Sequence, residues 1–246
     1  MPRFFVKSEQ ITQSRIHIIG EDVKHIKNVL RKQIGDNLEI CNQETGKTYI
    51  CEILELKEQE IINNIVEETY EQKDQIKVDI YQGLPKADKM ELIIQKSIEL
   101  GVNAIIPVEM KRCVVKLDSK TENKKIERWQ KIAESAAKQS GRNTVPEIRK
   151  MIKIEEISKL KDIYDAIIVC YENEKENHIK NELLKLKNKQ ETKIAIIIGP
   201  EGGLEENDVK YLKQNGAKVV TLGKRILRTE TVALNLLSII MYELEN

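Results

Sequence analysis

The chain has 246 residues, 40% of them hydrophobic and 33% charged, enough for one large or two smaller packed domains and not the composition of a disordered chain. Its 41 basic residues nearly balance 40 acidic ones, so a nucleic-acid partner would have to be gripped by a local patch. No apolar run approaches the roughly 18–20 residues of a membrane span, and no signal-peptide order opens the chain.

The first seventy residues alternate short apolar stretches with polar turns. Strands are expected at 4–6, 15–19, 37–41, 48–56 and 61–66, with turns at Gly35-Asp36 and Glu44-Thr45-Gly46. Residues 21–30 have helical spacing, which puts Val23, Ile26, Val29 and Leu30 on one face. This is a small, mostly β module over residues 1–70. The polar run 67–75 is the expected linker, and a second domain begins at 74.

From there strands and helices alternate. Strand 76–81 precedes a helix opened by Asp88, with Glu91 placed as in a capping box. Met90, Ile93, Ile94 and Ile98 should face inward, and Gly101 should end the helix. A strand at 104–108 and a helix at 124–140 follow, the helix carrying Ile126, Trp129, Ala133, Ala136 and Ala137 on its core face. The remaining strands are expected at 165–171, 194–198 and 218–222, and the helices at 178–187, 205–215 and 229–244. Apolar strands alternating with helices specify an α/β domain with a mostly parallel sheet covered on both faces.

Two loops follow the carboxyl ends of buried strands, where open α/β sheets bind ligands. In Ile198-Gly199-Pro200-Glu201-Gly202-Gly203-Leu204, three glycines let the backbone approach a ligand and expose N–H groups. The loop has neither Walker nor GxGxxG spacing, and a tight strand-to-helix turn explains it equally well. In Leu222-Gly223-Lys224-Arg225-Ile226-Leu227-Arg228-Thr229-Glu230-Thr231, Thr229 could cap the last helix and Glu230 favour its positive end. That leaves Ile226-Leu227 unexplained, and an apolar pair beside glycine backbone suits a flat heterocycle. Cys41, Cys51, Cys113 and Cys170 are dispersed without CxxC spacing and are expected to be free thiols of a cytoplasmic protein that needs no metal.

Together these loops resemble the ligand loops of the knotted SPOUT methyltransferases. More closely, the chain resembles the bacterial 16S ribosomal RNA uridine-N3 methyltransferases. The likeness extends through Met1-Pro2-Arg3-Phe4-Phe5, His25-Ile26-Lys27-Asn28-Val29-Leu30-Arg31, Lys86-Ala87-Asp88-Lys89-Met90-Glu91, Gln95-Lys96, Glu99-Leu100-Gly101-Val102 and Ala136-Ala137-Lys138-Gln139-Ser140-Gly141-Arg142. It implies a PUA-like β-barrel followed by a SPOUT domain whose C-terminal segment threads a trefoil knot. It also implies a homodimer that binds S-adenosylmethionine and acts on small-subunit ribosomal RNA. Carried over residue by residue, the cofactor lies against Cys170, Tyr171 and Glu172, against Ile198, Gly199, Pro200, Glu201, Gly202 and Gly203, and against Leu222, Gly223, Arg225, Ile226, Leu227 and Arg228. A side chain at Gly202 is expected to fill cofactor space.

Methyl transfer to uracil N3 requires a proton to leave that nitrogen, and a cation stabilises the anion that develops. Arg228 is the candidate for this role, with Glu230 either accepting the proton or, preferably, orienting Arg228. RNA is expected to be held by Arg3, His25, Lys27 and Arg31 on the small domain, and by Lys86, Lys89, Lys96, Lys138 and Arg142 on the large one. Two alternatives are methylation of a ribose 2′-hydroxyl by the same fold and a non-catalytic ribosome-assembly protein. The small N-terminal module and the Arg-Thr-Glu-Thr run argue against the first, and the intact glycine loop with Arg228 argues against the second.

Overall fold

The computed structural model describes residues 3–69, 75–187, 189 and 191–245. Met1 and Pro2 of the N-terminal motif, and residues 70–74 of the expected linker, lie outside them. The chain divides into two compact units, one of residues 1–73 with 137–145, the other of residues 74–136 with 146–246.

In the first unit, β1 (Arg3–Val6), β2 (Arg15–Ile19), β3 (Asn37–Asn42), β4 (Thr48–Leu56) and β5 (Glu60–Thr69) form one curled sheet in the order β1-β3-β4-β5-β2. Inward positions alternate along the strands, as a sheet with one buried face requires. Phe4, Ile16, Ile18, Leu38, Ile40, Ile53 and Ile61 close its core. Strand β5 runs past the expected end, because Glu67, Glu68 and Thr69 pair with Ile50, Tyr49 and Thr48. Their polar side chains hide a strand that backbone pairing supplies.

The expected single helix at 21–30 is a short α1 (Glu21–Lys24) running into a π-helical turn, His25–Val29. The wider turn rotates the face. Val23 and Ile26 remain buried, but Val29 points outward and is 69% exposed. Arg31 follows in the left-handed region, at φ 51°.

The second unit is built on a sheet ordered β12-β10-β11-β6-β7-β8, with β9 also beside β7. Its strands are β6 (Ile76–Gly83), β7 (Ala104–Glu109), β8 (Glu147–Ile148), β9 (Ile152–Lys153), β10 (Ala166–Cys170), β11 (Thr192–Ile198) and β12 (Lys218–Val220). Every ladder is parallel. The helices are α2 (Lys89–Glu99), α3 (Ser119–Ser140), α4 (Ile179–Leu184), α5 (Glu206–Gln214) and α6 (Thr229–Leu244). In β11 the run Ile194-Ala195-Ile196-Ile197-Ile198 is wholly buried, as a strand covered on both faces must be.

Helix α3 starts five residues before the apolar pattern does. The Asp118 carboxylate accepts the Thr121 N–H at 2.7 Å, a bond that holds this carboxyl below its usual range. The capping box expected for α2 does not form. Asp88 makes no side-chain cap, and Glu91 instead pairs with Arg128 at 2.8 Å. Helix α6 packs against α2, β6 and β11. Its Leu236, Leu237 and Ile240 are fully buried within the subunit, so that apolar face is core.

Candidate active site

The carboxyl ends of β10, β11 and β12 converge on one cleft of about 500 Å³. It is lined by Cys170, Tyr171 and Glu172 after β10, by Ile198 and the loop Gly199, Pro200, Glu201, Gly202 and Gly203 after β11, and by Leu222, Gly223, Arg225, Ile226, Leu227 and Arg228 after β12. The structure thus brings every residue expected at the cofactor into one cavity. Leu204, Thr221, Lys224, Thr229, Val232 and Lys89 join them.

Close packing shapes the glycine loop. A Cβ at Gly199 would sit 2.9 Å from the carbonyl carbon of Gly203, and one at Gly203 2.6 Å from Oε1 of Glu172. Gly203 also needs φ +70°, a conformation that glycine adopts without cost. Behind the loop, a Cβ at Gly83 would meet Pro200 at 2.7 Å. Gly202 departs from expectation. Its Cβ direction leads to Arg112 at 3.1 Å, not into cofactor space, and its carbonyl accepts Arg112 Nη1 at 2.9 Å. Arg112 carries no sequence signal of that role.

The second wall differs in kind. Among the described residues, the backbone N–H groups of Lys224, Arg225, Ile226, Leu227 and Arg228 have no acceptor within the protein. Ile226 is 86% exposed at this wall. A run of unpaired donors beside an exposed apolar side chain fits a ligand with polar edges and a flat apolar face.

A polar staple ties the two walls together. Thr229 Oγ1 donates to Gly199 O at 2.7 Å and accepts from Gln82 Nε2 at 2.8 Å. Thr229 is therefore no cap; Arg228 occupies that position, and its carbonyl accepts the N–H groups of Thr231 and Val232. Gln82, fully buried at the end of β6, is a site residue that the motifs do not include. Nothing in the sequence singles it out, since the same strand also carries Lys77 and Asp79.

The Arg228 side chain is exposed and has no hydrogen bond or ion pair among the described residues. Glu230 does not orient it. The Glu230 carboxylate lies 3.4 Å from Lys89 Nζ, and Lys89 also reaches Glu201 at 3.1 Å. Glu201 chiefly, with Glu230, raises Lys89 above the ordinary lysine value, so it stays an ammonium. Burial opposes the charge of Glu201, but its own backbone N–H, that of Lys86 and the Lys89 ammonium hold its carboxyl low. Burial pushes the Cys170 thiol up to about 12, so it is no nucleophile near neutrality.

The expected RNA-binding residues separate into groups. Arg3 pairs with Glu39 at 2.7 Å and also donates to Gly141 O and Asn143 Oδ1. Lys138 pairs with Asp22 at 2.9 Å. Lys138 and Arg142 belong to the first unit rather than the large domain, because residues 137–145 pack there. Lys96 pairs with Glu99, and Lys27 donates to the Lys57 carbonyl. His25 and Arg31 are exposed around the π-helical turn, with His25 edge-on to Phe4. Lys86 is exposed near the cleft, held by its N–H to Glu201.

Comparisons with known proteins follow the same division. Residues 71–241 match the RNA methyltransferase domain family, and residues 18–64 match the RNA methyltransferase PUA domain family. The chain is 39% identical to the ribosomal RNA small subunit methyltransferase E of Bacillus subtilis, across 100% of this chain and 98% of that protein. It resembles the methyltransferase E of Neisseria gonorrhoeae, solved bound to S-adenosyl methionine, with a TM-score of 0.84, 30% identity, and 99% and 98% of the two chains covered. A Legionella pneumophila protein described as a methyltransferase, solved with the cofactor SAM bound, gives a TM-score of 0.85 at 27% identity, over 98% and 96% of the chains. The fold is that of the SPOUT-type RNA methyltransferases.

Proposed function

The chain belongs to the ribosomal RNA small subunit methyltransferase E family, and from that premise and the geometry of the cleft we propose that it methylates N3 of a specific uridine in 16S ribosomal RNA, using S-adenosylmethionine. The observation that carries this reading is the wall at 222–228, whose residues, with unpaired backbone donors and an exposed Ile226, line a cleft of about 500 Å³. S-adenosylmethionine supplies an activated methyl group on a sulfonium centre. In this reading Gly199 to Gly203 form one face of its site, the amides of 224–228 orient its polar edges, and Ile226 and Leu227 cover its adenine.

Arg228 lies free at the junction of this wall and α6. Its guanidinium stabilises the uracil anion that develops as N3 gives its proton to solvent water, an electrostatic task for which a delocalised cation is suited. Glu230, committed to Lys89, acts as structural support rather than as a partner of Arg228. The N-terminal unit holds RNA and does no chemistry, with His25 and Arg31 offering the exposed contacts.

We also place the protein in the cytoplasm, and in a homodimer, supported by the family resemblance and by exposed Leu92 and Tyr242 on the packed pair α2 and α6. Light scattering is expected to give twice the chain mass of 28.4 kDa, and a monomer mass counts against the dimer. The reaction itself is tested by nucleoside mass spectrometry and mapping of 16S ribosomal RNA from cells with and without the protein. Loss of a single N3-methyluridine is expected. Loss of a ribose-methylated nucleotide instead, or of none, overturns the proposal.

A further inference from the structure

Lys89 opens α2, yet its side chain reaches two other elements. Its ammonium lies 3.1 Å from Glu201 in the glycine loop and 3.4 Å from Glu230 in the first turn of α6. Glu201 is further fixed by the Lys86 N–H, at 3.0 and 3.3 Å from its two oxygens. Glu230 is mostly buried, with 14% of its side chain exposed, and its Oε2 is enclosed without a hydrogen bond. A buried carboxylate oxygen with no hydrogen bond depends on a nearby opposite charge. Lys89 supplies that charge and lines the cleft itself.

We propose that Lys89 is a positioning residue: its ammonium clasps Glu201 to Glu230 and so fixes the glycine loop against the start of the helix that follows Arg228. The inference rests on the methyltransferase reading of the cleft. It replaces the expectation that Lys89 grips RNA phosphate, because an ammonium held by two carboxylates is already neutralised. The physical consequence is a split between binding and chemistry. Cofactor affinity is spread over many contacts along both walls, and RNA affinity over other surfaces, whereas in-line transfer depends on the exact register of the two walls, so small misplacements cost rate more than affinity.

The test uses the full chain as wild type, Lys89→Met and Lys89→Arg. Cofactor affinity is read by calorimetry, RNA affinity against salt by filter binding, and methyl transfer by single turnover at saturating cofactor and RNA. Lys89→Met is expected to slow single turnover about tenfold or more, with both affinities within about threefold, and Lys89→Arg to restore most of the rate. A readout independent of activity is amide hydrogen exchange of the cofactor-free protein. Segments 199–204 and 229–233 should both exchange faster in Lys89→Met and return to wild-type rates in Lys89→Arg. A normal rate with weaker RNA binding and a salt slope lower by about one contact makes Lys89 a phosphate ligand and overturns the proposal. So does unchanged exchange in both segments. Wild-type protein that binds no cofactor or transfers no methyl would instead remove the underlying reading, while leaving the exchange result to judge the clasp.

Discussion

The loops at 199–203 and 222–228 wall the same cleft but are built in opposite ways. The first is filled: a Cβ at Gly199 would press on the backbone of Gly203 and Leu204, one at the supporting Gly83 on Pro200 and Met110, and one at Gly203 on the Glu172 carboxylate. The second is open: a Cβ at Gly223, where φ is +107°, would meet nothing within 4 Å, and the five amides that follow lack acceptors. The filled loop owes its shape to internal packing. The open loop leaves its donors and the Arg228 guanidinium to solvent, available to a ligand. One wall is therefore packed, and the other is the surface to which the proposed function assigns recognition and chemistry.

This contrast is sharpest at Arg228. Arg228→Ala is expected to lower the single-turnover rate about a hundredfold, equivalent to about 3 kcal/mol of transition-state stabilisation, in a protein that still folds and binds cofactor. Arg228→Lys should recover only part of this, since an ammonium keeps the charge and loses the planar fork of donors. A normal single-turnover rate in folded Arg228→Ala would place the chemistry elsewhere.

Next in size is Gly199→Ala. Its Cβ would press on backbone atoms that cannot swing away, so a stability loss of about 1–3 kcal/mol is expected, measured as a lower denaturant midpoint at constant slope. Smaller still is Gly223→Ala, which meets no neighbour and bears only backbone strain, about 1 kcal/mol by the same measurement. If Gly223→Ala proved the more damaging to stability, the division into a filled and an open wall would be wrong.

The cleft is legible in the sequence because its signals are local. Glycines at strand ends, and an apolar pair without a strand or helix to belong to, mark a backbone-built site within a few residues of chain. The fate of charged side chains is not legible, because it is decided by distant partners. Lys138 is spent on Asp22, 116 residues away, and Arg3 on Glu39, 36 away. Lys89 has the sequence character of a solvated contact for RNA and is clasped between two carboxylates. Gly202 shows the same limit at a smaller scale: the glycine stands out in the sequence, but only the fold reveals that its free side faces Arg112. In the N-terminal unit, the π-helical turn that exposes Val29 has no periodic signature in so short a segment, and the two-residue strands β8 and β9 are below any alternation pattern.

The most direct test of the account is amide hydrogen exchange across the two walls as S-adenosylmethionine is titrated to saturation. The amides of 224–228 should go from fast to strongly protected, and that of Gly203, already bonded to the Pro200 carbonyl, should change much less. Saturating cofactor that leaves 224–228 exchanging as in the free protein would contradict the assignment of the open wall as the cofactor's recognition surface.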